Sequence, residues 1–357
     1  MSRIAIKRGV PALAVLLAGI GLAGMWWRHG ARGAVDAPGT EPLTEIKVVQ
    51  RVNVAADRAL LYLRKKQQPN GGWSENNNAI NALALLAYLG RGQVPGRGPY
   101  QEVLERGKKF ILAKARPDGF LGFSSMYEHG LATLALAEMY GMDADPVLEE
   151  KLRKAADLIV RCQSPSGGWR YNPVPGDQDL SVTVMQIVAL RAARNAGLPV
   201  ADSCVKNAVR YVKSCGVPTG GFGYQGPGNG PQTTAAGILS LQLLGEYNDP
   251  LVSKALEQLA TIPVQWGNGP AGGGPQYFYY FHYYAIQATY QAGGKEWNEW
   301  HPRIRELLLQ HQAVDGSWDV PGGTAEAGVD PQNKVYSTAM ALLVLDIYSH
   351  FLPAYQR

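Results

Sequence analysis

A seven-residue pattern, Gln-x-x-x-Gly-x-Trp, occurs three times in the sequence and sets its organisation. The first two copies start 96 residues apart and the last two 149 residues apart, which is close to two and three periods of about 49 residues. Degenerate copies occupy the missing places near residues 115, 216 and 261. The sequence therefore predicts six repeats of one unit. The full copies start and end at Gln67 and Trp73, Gln163 and Trp169, and Gln312 and Trp318.

Each repeat contains two helical segments of different character. Residues 148–162 are amphipathic, with apolar residues at helical spacing. Residues 79–89, 130–140, 233–244 and 337–348 are apolar nearly all round. Such helices must be enclosed, yet none reaches the roughly 18 apolar residues of a membrane span. We therefore expect an all-α fold over residues 45–357, an (α/α)6 toroid of six inner helices enclosed by six outer ones.

Glycine follows or ends five of the apolar runs at intervals of 51, 56, 48 and 48 residues, which repeats the same period. Glycine adopts the left-handed conformation just past a helix end without steric cost. We expect each of these residues to terminate its inner helix. They are Gly90, Gly141, Gly197, Gly245 and Gly293.

The N-terminal 35 residues contain five basic residues and no acid, whereas residues 36–357 balance 29 basic with 29 acidic residues. A neutral domain has no long-range field for a polyanion, which argues against a nucleic-acid partner. Residues 9–27 are uncharged, apolar and long enough to span a bilayer. We predict a membrane anchor over residues 1–32 and a flexible linker over 33–44, with a cleaved signal peptide as the alternative. The charge bias slightly favours an extracytoplasmic domain.

The three cysteines do not form a disulfide framework. Cys204 and Cys215 fall in one predicted helix, roughly 16 Å apart, which is too far for a disulfide. We expect Cys162, Cys204 and Cys215 to be small buried hydrophobic residues.

The Gln–Trp repeat in an α/α toroid resembles the squalene–hopene cyclases and the β-subunits of protein prenyltransferases, over about residues 45–357. The resemblance implies that the glutamines and tryptophans of the three motifs join outer helices and are structural. It also implies a cavity inside the inner ring, near the start of each inner helix, and an isoprenoid or other apolar lipid as ligand.

Inner helix 3 begins Asp177-Gln178-Asp179-Leu180-Ser181. This segment is similar to the Asp-x-Asp-Asp-Thr-Ala motif of squalene–hopene cyclases, whose third position protonates an alkene, although Leu180 replaces the last aspartate. The resemblance implies that Asp179 is the acid and Asp177 its neighbour. Paired carboxyls in a dry pocket can share a proton. Asp179 could equally be a helix N-cap, where the helix dipole favours the ionised form.

Other candidate ligand-binding residues open inner helices 2, 5 and 6. Tyr127-Glu128-His129 would supply an acid and an imidazole, or cap a helix. The aromatic run from residue 277 to 284 would line a carbocation or prenyl pocket, or pack the core. The candidate substrate-binding set is Tyr127, Glu128, His129, Tyr279, Tyr280, His282, Tyr283 and Tyr336.

No metal or other cofactor is expected. The prenyltransferase β-subunits bind zinc through an aspartate, a cysteine two residues later and a distant histidine. Asp202-Ser203-Cys204 has that spacing, but it starts a predicted outer helix. An open catalytic zinc site needs three converging ligands, and the sequence does not bring three together.

Three functions are compatible with these features. The first is a membrane-tethered enzyme or binding protein for an isoprenoid or other apolar lipid. The second is a non-catalytic interaction scaffold. The third is a carbohydrate-active α/α barrel with Glu128 and Asp179 as its carboxylate pair. An apolar closed lumen would favour the first function, a lumen filled by side chains the second, and a wide polar groove the third.

Overall fold

The computed structural model describes residues 41–267, 275–322, 326, 333–347 and 352. Over these residues the chain forms twelve helices, which confirms the all-α prediction. Residues 47–357 belong to one compact unit. The helices are α1 (Glu41–Lys66), α2 (Asn78–Gly90), α3 (Gln101–Ala113), α4 (Met126–Met142), α5 (Pro146–Arg161), α6 (Leu180–Asn195), α7 (Asp202–Ser214), α8 (Pro231–Leu243), α9 (Pro250–Ala260), α10 (Phe278–Ala292), α11 (Gly294–Gln310) and α12 (Val335–Asp346).

The predicted anchor, with its apolar run at residues 9–27, lies outside the described residues, and the predicted linker reaches into α1, which begins at Glu41. None of the helices in the described ranges is long and apolar enough to cross a membrane.

The even-numbered helices form the inner ring. Each packs against the next, and α12 packs against α2, so the ring is closed. Nearly all residues of these helices are buried, as their all-round apolar character requires. The odd-numbered helices from α3 to α11 pack outside them. In α5, Leu148, Leu152 and Ile159 share the buried face.

The Gln–Trp motif joins neighbouring outer helices. The Nε2 of Gln163 donates to the carbonyl oxygens of Gly167 in its own loop and Cys204 in α7, both at 2.9 Å. Gln67 makes the same pair of hydrogen bonds within its loop and to Val103 of α3. Gln312 bonds in its loop and to the carbonyl of Ala55 in α1, so the last repeat is joined to the first.

The motif tryptophans are buried against the outer helix that precedes them. Each indole Nε1 donates at 2.7 Å to the carbonyl oxygen ten residues earlier. A large buried aromatic with its one donor satisfied is a stable anchor for a loop. The donor–acceptor pairs are Trp73 and Leu63, Trp169 and Ile159, and Trp318 and Leu308.

One glycine of the motif lies against the next outer helix in five of the six repeats. These glycines have φ between +91° and +106°, and a Cβ there would lie 2.0–2.6 Å from a carbonyl oxygen of that helix. Only glycine allows this approach, so the degenerate second and fourth motifs keep it. The five are Gly71, Gly119, Gly167, Gly220 and Gly316.

The predicted helix-ending glycines behave in two ways. Gly197, Gly245 and Gly293 follow α6, α8 and α10 with φ of +89°, +93° and +70°. Helix α2 ends at Gly90 as predicted, although Gly90 itself has helical backbone. For Gly141 the prediction is wrong, because α4 continues to Met142. After α2 the left-handed position passes to Gly92, at φ +69°. The three cysteines are buried and free, as predicted.

Candidate functional site

The inner helices start at the same end of the ring, which we call the mouth. Tyr127, Ser181, Tyr280 and Tyr336 lie near the starts of α4, α6, α10 and α12, and each is partly exposed, whereas the helix bodies are buried. The hydroxyl of Tyr280 lies 3.4 Å from the carbonyl oxygen of Ser181, which links α10 to α6 across the ring. The mouth therefore brings together side chains from helices that are distant in sequence.

Asp179 is fully buried at the mouth and caps α6. Its Oδ1 accepts hydrogen bonds from Val182 N at 2.8 Å and from Ser181 Oγ at 2.7 Å. Its Oδ2 has no hydrogen-bond partner among the described residues, and the Nε of Arg170 is 3.7 Å away. The capping role therefore uses one carboxylate oxygen, and the other one faces the Arg170 guanidinium.

Phenol groups surround the Asp179 carboxylate. Burial raises the pKa of Tyr127 and Tyr280, and the charge of Asp179 acts in the same direction. The Tyr127 hydroxyl is hydrogen-bonded to Ser181. Burial also raises the pKa of Tyr224, whose hydroxyl is 2.7 Å from that of Tyr171. These phenols stay protonated at neutral pH, so the mouth presents hydroxyl donors and aromatic rings around one carboxylate.

Asp177 is not part of this buried group. Its side chain is 56% exposed and forms an ion pair with Arg170. The same guanidinium faces Asp179, so Arg170 stands between the two carboxylates. The structure therefore does not assemble the carboxyl pair with a shared proton that the resemblance implies.

Glu128 and His129 are buried, but their side chains serve the framework. The Glu128 carboxylate accepts four hydrogen bonds of 2.9–3.1 Å, from Asn78 N, Phe123 N, Ser124 N and Ser124 Oγ. His129 Nδ1 accepts from Leu121 N, and its Nε2 donates to the carbonyl of Ala155 in outer helix α5. Burial lowers the pKa of His129 to about 4, so it is neutral. The polar atoms of both side chains are therefore bonded to the protein framework.

The aromatic run of α10 divides between the core and the ring interior. His282 packs against Phe278, Phe281 and Trp300 of outer helix α11, and burial lowers its pKa to about 3. Tyr279 donates to the carbonyl of Asp319, and Tyr283 packs against Tyr284. These residues therefore contribute to the core.

Two tyrosines of α10 extend to α6 rather than to a neighbouring helix. Beyond the Tyr280 contact, the Tyr284 hydroxyl lies 2.8 Å from the sulfur of Met185. Because α8 stands between α6 and α10 in the ring, both contacts cross its interior. Part of the lumen is therefore filled by side chains.

The sequence analysis missed Glu326, Arg170 and Tyr224. Glu326 is buried, and its Oε1 accepts hydrogen bonds from Tyr280 N at 2.9 Å and from the Tyr336 hydroxyl at 3.1 Å. Arg170 directly follows Trp169, and Tyr224 lies two residues after Phe222 of the fourth motif. The position of Arg170 and Tyr224 just after a motif could have identified both residues from the sequence. Glu326 lies outside any motif. No cluster of three potential metal ligands occurs in the described part of the chain.

Comparison with known proteins gives one sequence relative and several similar structures. No family model matches the sequence. A lanosterol synthase of Aspergillus fumigatus is 27% identical over 136 residues, which is 35% of this chain and 18% of that enzyme. The chain thus matches less than a fifth of its relative's length.

Solved structures cover most of the chain at low identity. The type II terpene cyclase MstE from Scytonema, in complex with geranylgeranyl dihydroxybenzoate, aligns at a TM-score of 0.60 with 15% identity over 86% of this chain and 100% of its own. An α-1,6-mannanase from Salegentibacter aligns at a TM-score of 0.61 with 11% identity over 83% of this chain and 99% of its own. The architecture alone therefore does not select a chemistry.

The Gln–Trp repeat and the sequence relative add to the structural comparisons. The three full motifs make the same inter-helix contacts, and the relative found by sequence is a lanosterol synthase. The chain therefore forms an α/α toroid, the fold that it shares with the type II terpene cyclase MstE.

Proposed function

We propose that the mouth of the toroid binds an isoprenoid or similar apolar lipid, and that Asp179 is the charged group at its reactive end. The observation that carries this proposal is the fully buried carboxylate of Asp179, whose Oδ2 has no close hydrogen bond from a described residue, with the Arg170 guanidinium 3.7 Å away and the Tyr224 side chain beside the carboxylate. A buried oxygen of this kind is expensive unless positive charge completes its interactions, and at 3.7 Å the Arg170 guanidinium does so without a hydrogen bond.

The surroundings of Asp179 suit a positive charge on an otherwise apolar molecule. Ser181, Val182 and Arg170 all stabilise negative charge on the carboxylate. The ring faces of Tyr127 and Tyr280 would add cation–π attraction in a site with little water. Asp179 would then stabilise a carbocation as it forms, which is electrostatic catalysis by a preorganised charge.

The similar proteins support the ligand class. The MstE structure contains geranylgeranyl dihydroxybenzoate, which has a long isoprenoid chain. A membrane anchor over residues 9–27, with the toroid on the extracytoplasmic side, belongs to the same proposal, because a bilayer dissolves such lipids.

The test compares two probes of equal length, farnesyltrimethylammonium and the neutral analogue with carbon in place of nitrogen. The cation should bind roughly 30-fold more tightly, since a desolvated cation–π contact contributes about 2 kcal/mol. Titration calorimetry below the micellar concentration of each probe measures both dissociation constants.

The variant Asp179→Asn should remove the preference for the cation and keep binding of the neutral probe, because asparagine is also a good N-cap. Asp202→Asn is the matched control, an exposed aspartate in the first turn of outer helix α7. Equal affinities for the two probes in the unaltered protein would refute the proposed site.

A non-catalytic scaffold is the second candidate, favoured by the Tyr280 and Tyr284 contacts that fill part of the lumen. It predicts that neither probe binds. The carbohydrate hypothesis has less support, because the Glu128 carboxylate it requires already accepts four hydrogen bonds from the protein.

A further inference from the structure

A small cavity lies near the end of the ring opposite the mouth, between the C-terminal parts of α6 and α8 and outer helix α7. Its volume is about 110 Å³, and its apolar walls include Trp169, Ile187, Leu190, Val205, Ala208 and Leu243. Gly245 also borders it, and a Cβ at this glycine would meet no atom within 4 Å. Arg191 in the lining lies eleven residues after Leu180, the first residue of α6, which places it roughly 17 Å along the helix. The cavity is therefore separate from the site around Asp179.

The first repeat is packed more closely at the corresponding place. Ile187 and Ala208 lie four residues after the points where α6 and α7 bond to the third motif. The corresponding residues of α2 and α3 are Leu85 and Gly107. A Cβ on Gly107 would lie 2.8 Å from the Leu85 side chain and 2.9 Å from the ring of Trp73, so that junction has no space to spare. The cavity therefore belongs to the third junction and does not follow from the repeat itself.

Two arginines of α6 border the cavity, and none of the described residues that line it is acidic. Arg191 and Arg194 are three residues apart, so their side chains share one face of the helix. The Nε of Arg191 is buried and has no hydrogen-bond partner among the described residues. Glu246, which follows the lining residue Gly245, is already paired with Lys213 at 2.7 Å. The helix dipole favours a cation in the last turn of α6, but it supplies no partner for the buried Nε. The cavity thus combines an apolar wall with positive charge at its edge.

We propose that this cavity binds a short, unbranched alkyl carboxylate, with its chain against the apolar wall and its carboxylate at Arg191 and Arg194. A guanidinium can donate two parallel hydrogen bonds to a carboxylate, which a point charge cannot do. Two neighbouring cations on one helix face repel each other, and an anion beside them relieves that repulsion. The volume of about 110 Å³ holds a chain of roughly four carbons, at about 30 Å³ each, the share of a water molecule in the liquid. Pentanoate is therefore the expected length. This inference is independent of the proposed function.

The first experiment compares pentanoate with 1-pentanol and pentylammonium, which end the same chain in a neutral and a positive group. Cys204 lines the cavity and can report its occupancy. In the full chain, pentanoate should slow the reaction of Cys204 with methyl methanethiosulfonate, measured by peptide mass spectrometry. Half-protection should need on the order of tenfold less pentanoate than 1-pentanol, because hydrogen bonds between charged groups are the stronger ones. Pentylammonium should protect least. Cys162 and Cys215 are buried outside the lining and serve as internal controls. Equal protection by pentanoate and 1-pentanol, or no protection of Cys204, overturns the inference.

The second experiment tests the charge and the wall separately. Arg191→Gln should remove the preference for pentanoate and keep the protection by 1-pentanol. Arg97→Gln, at an exposed position between α2 and α3, is the matched control and should change neither. Ala208→Leu fills the cavity and should abolish protection by both compounds. Val205→Phe, at a half-buried position of the wall, is a second filling variant, and circular dichroism checks that each variant is folded. A preference for pentanoate that survives Arg191→Gln, or protection that survives filling of the cavity, contradicts the assignment.

Discussion

Replacing Gly167 by alanine should force the outer helices α5 and α7 apart. Gly167 has φ of +106°, and a Cβ there would lie 2.0 Å from the carbonyl oxygen of Asn207 and 2.6 Å from its carbon. These atoms belong to the backbone of α7, which cannot rotate out of the way. The contact lies next to the two hydrogen bonds of Gln163, so separation of the helices would break them as well.

The expected destabilisation has two parts. Alanine in the left-handed conformation costs about 1–2 kcal/mol. Loss of the two Gln163 hydrogen bonds adds about 1 kcal/mol each. The free energy of unfolding should therefore fall by roughly 3–4 kcal/mol. Gly245→Ala is the matched control, because Gly245 has φ of +93° and nothing within 4 Å of its Cβ position. Only the conformational part applies there.

Urea unfolding followed by far-ultraviolet circular dichroism measures both variants. The expected difference between them is about 2 kcal/mol. If Gly167→Ala and Gly245→Ala lose the same stability, the close approach of the motif glycine to the next outer helix does not contribute, and this account of the junction is wrong.

Three other perturbations test separate parts of the structure. Trp169→Ala should lower the free energy of unfolding by roughly 3 kcal/mol or more, as measured by urea unfolding. It should leave probe binding at low temperature unchanged. A stable variant that has lost binding would move the site to the motif loops. A chain without residues 1–35 should be soluble with its full helical circular dichroism signal, whereas aggregation or lost helicity would contradict the predicted division into tether and domain. Because burial raises the pKa of Asp346 to about 8, the folded state holds a proton that the unfolded state releases near 4, so this residue lowers the unfolding free energy as pH rises between those values. Asp346→Asn should flatten that slope in a pH series of unfolding curves, and an unchanged slope would refute the reasoning.

The repeat architecture could be predicted because its signals are local. The motif period, the two helix types and the positive-φ glycines after α6, α8 and α10 are all contained within a few residues. The missed helix end at Gly141 shows the limit, since α4 continues past this glycine to Met142.

The site was harder to predict because inner helices are buried on every side. Hydrophobic periodicity cannot separate the lumen face of such a helix from its outer face. His129 and His282 pack toward outer helices, yet they have the same sequence character as Tyr127 and Tyr280 at the mouth. Glu326 joins the mouth only because the closed ring brings the start of α12 beside α10.

The joining of the last repeat to the first has a consequence for synthesis of the chain. Gln312 must reach the carbonyl of Ala55, a partner 257 residues earlier in the sequence. At about 5–20 residues per second, the ribosome needs roughly 13–50 seconds to make the intervening segment. During that interval α1 has left the ribosome, but its neighbour α11 has not yet been synthesised. The side of α1 that packs against α11 therefore stays uncovered during this time. Synthesis of α11, the last outer helix, then allows the ring to close.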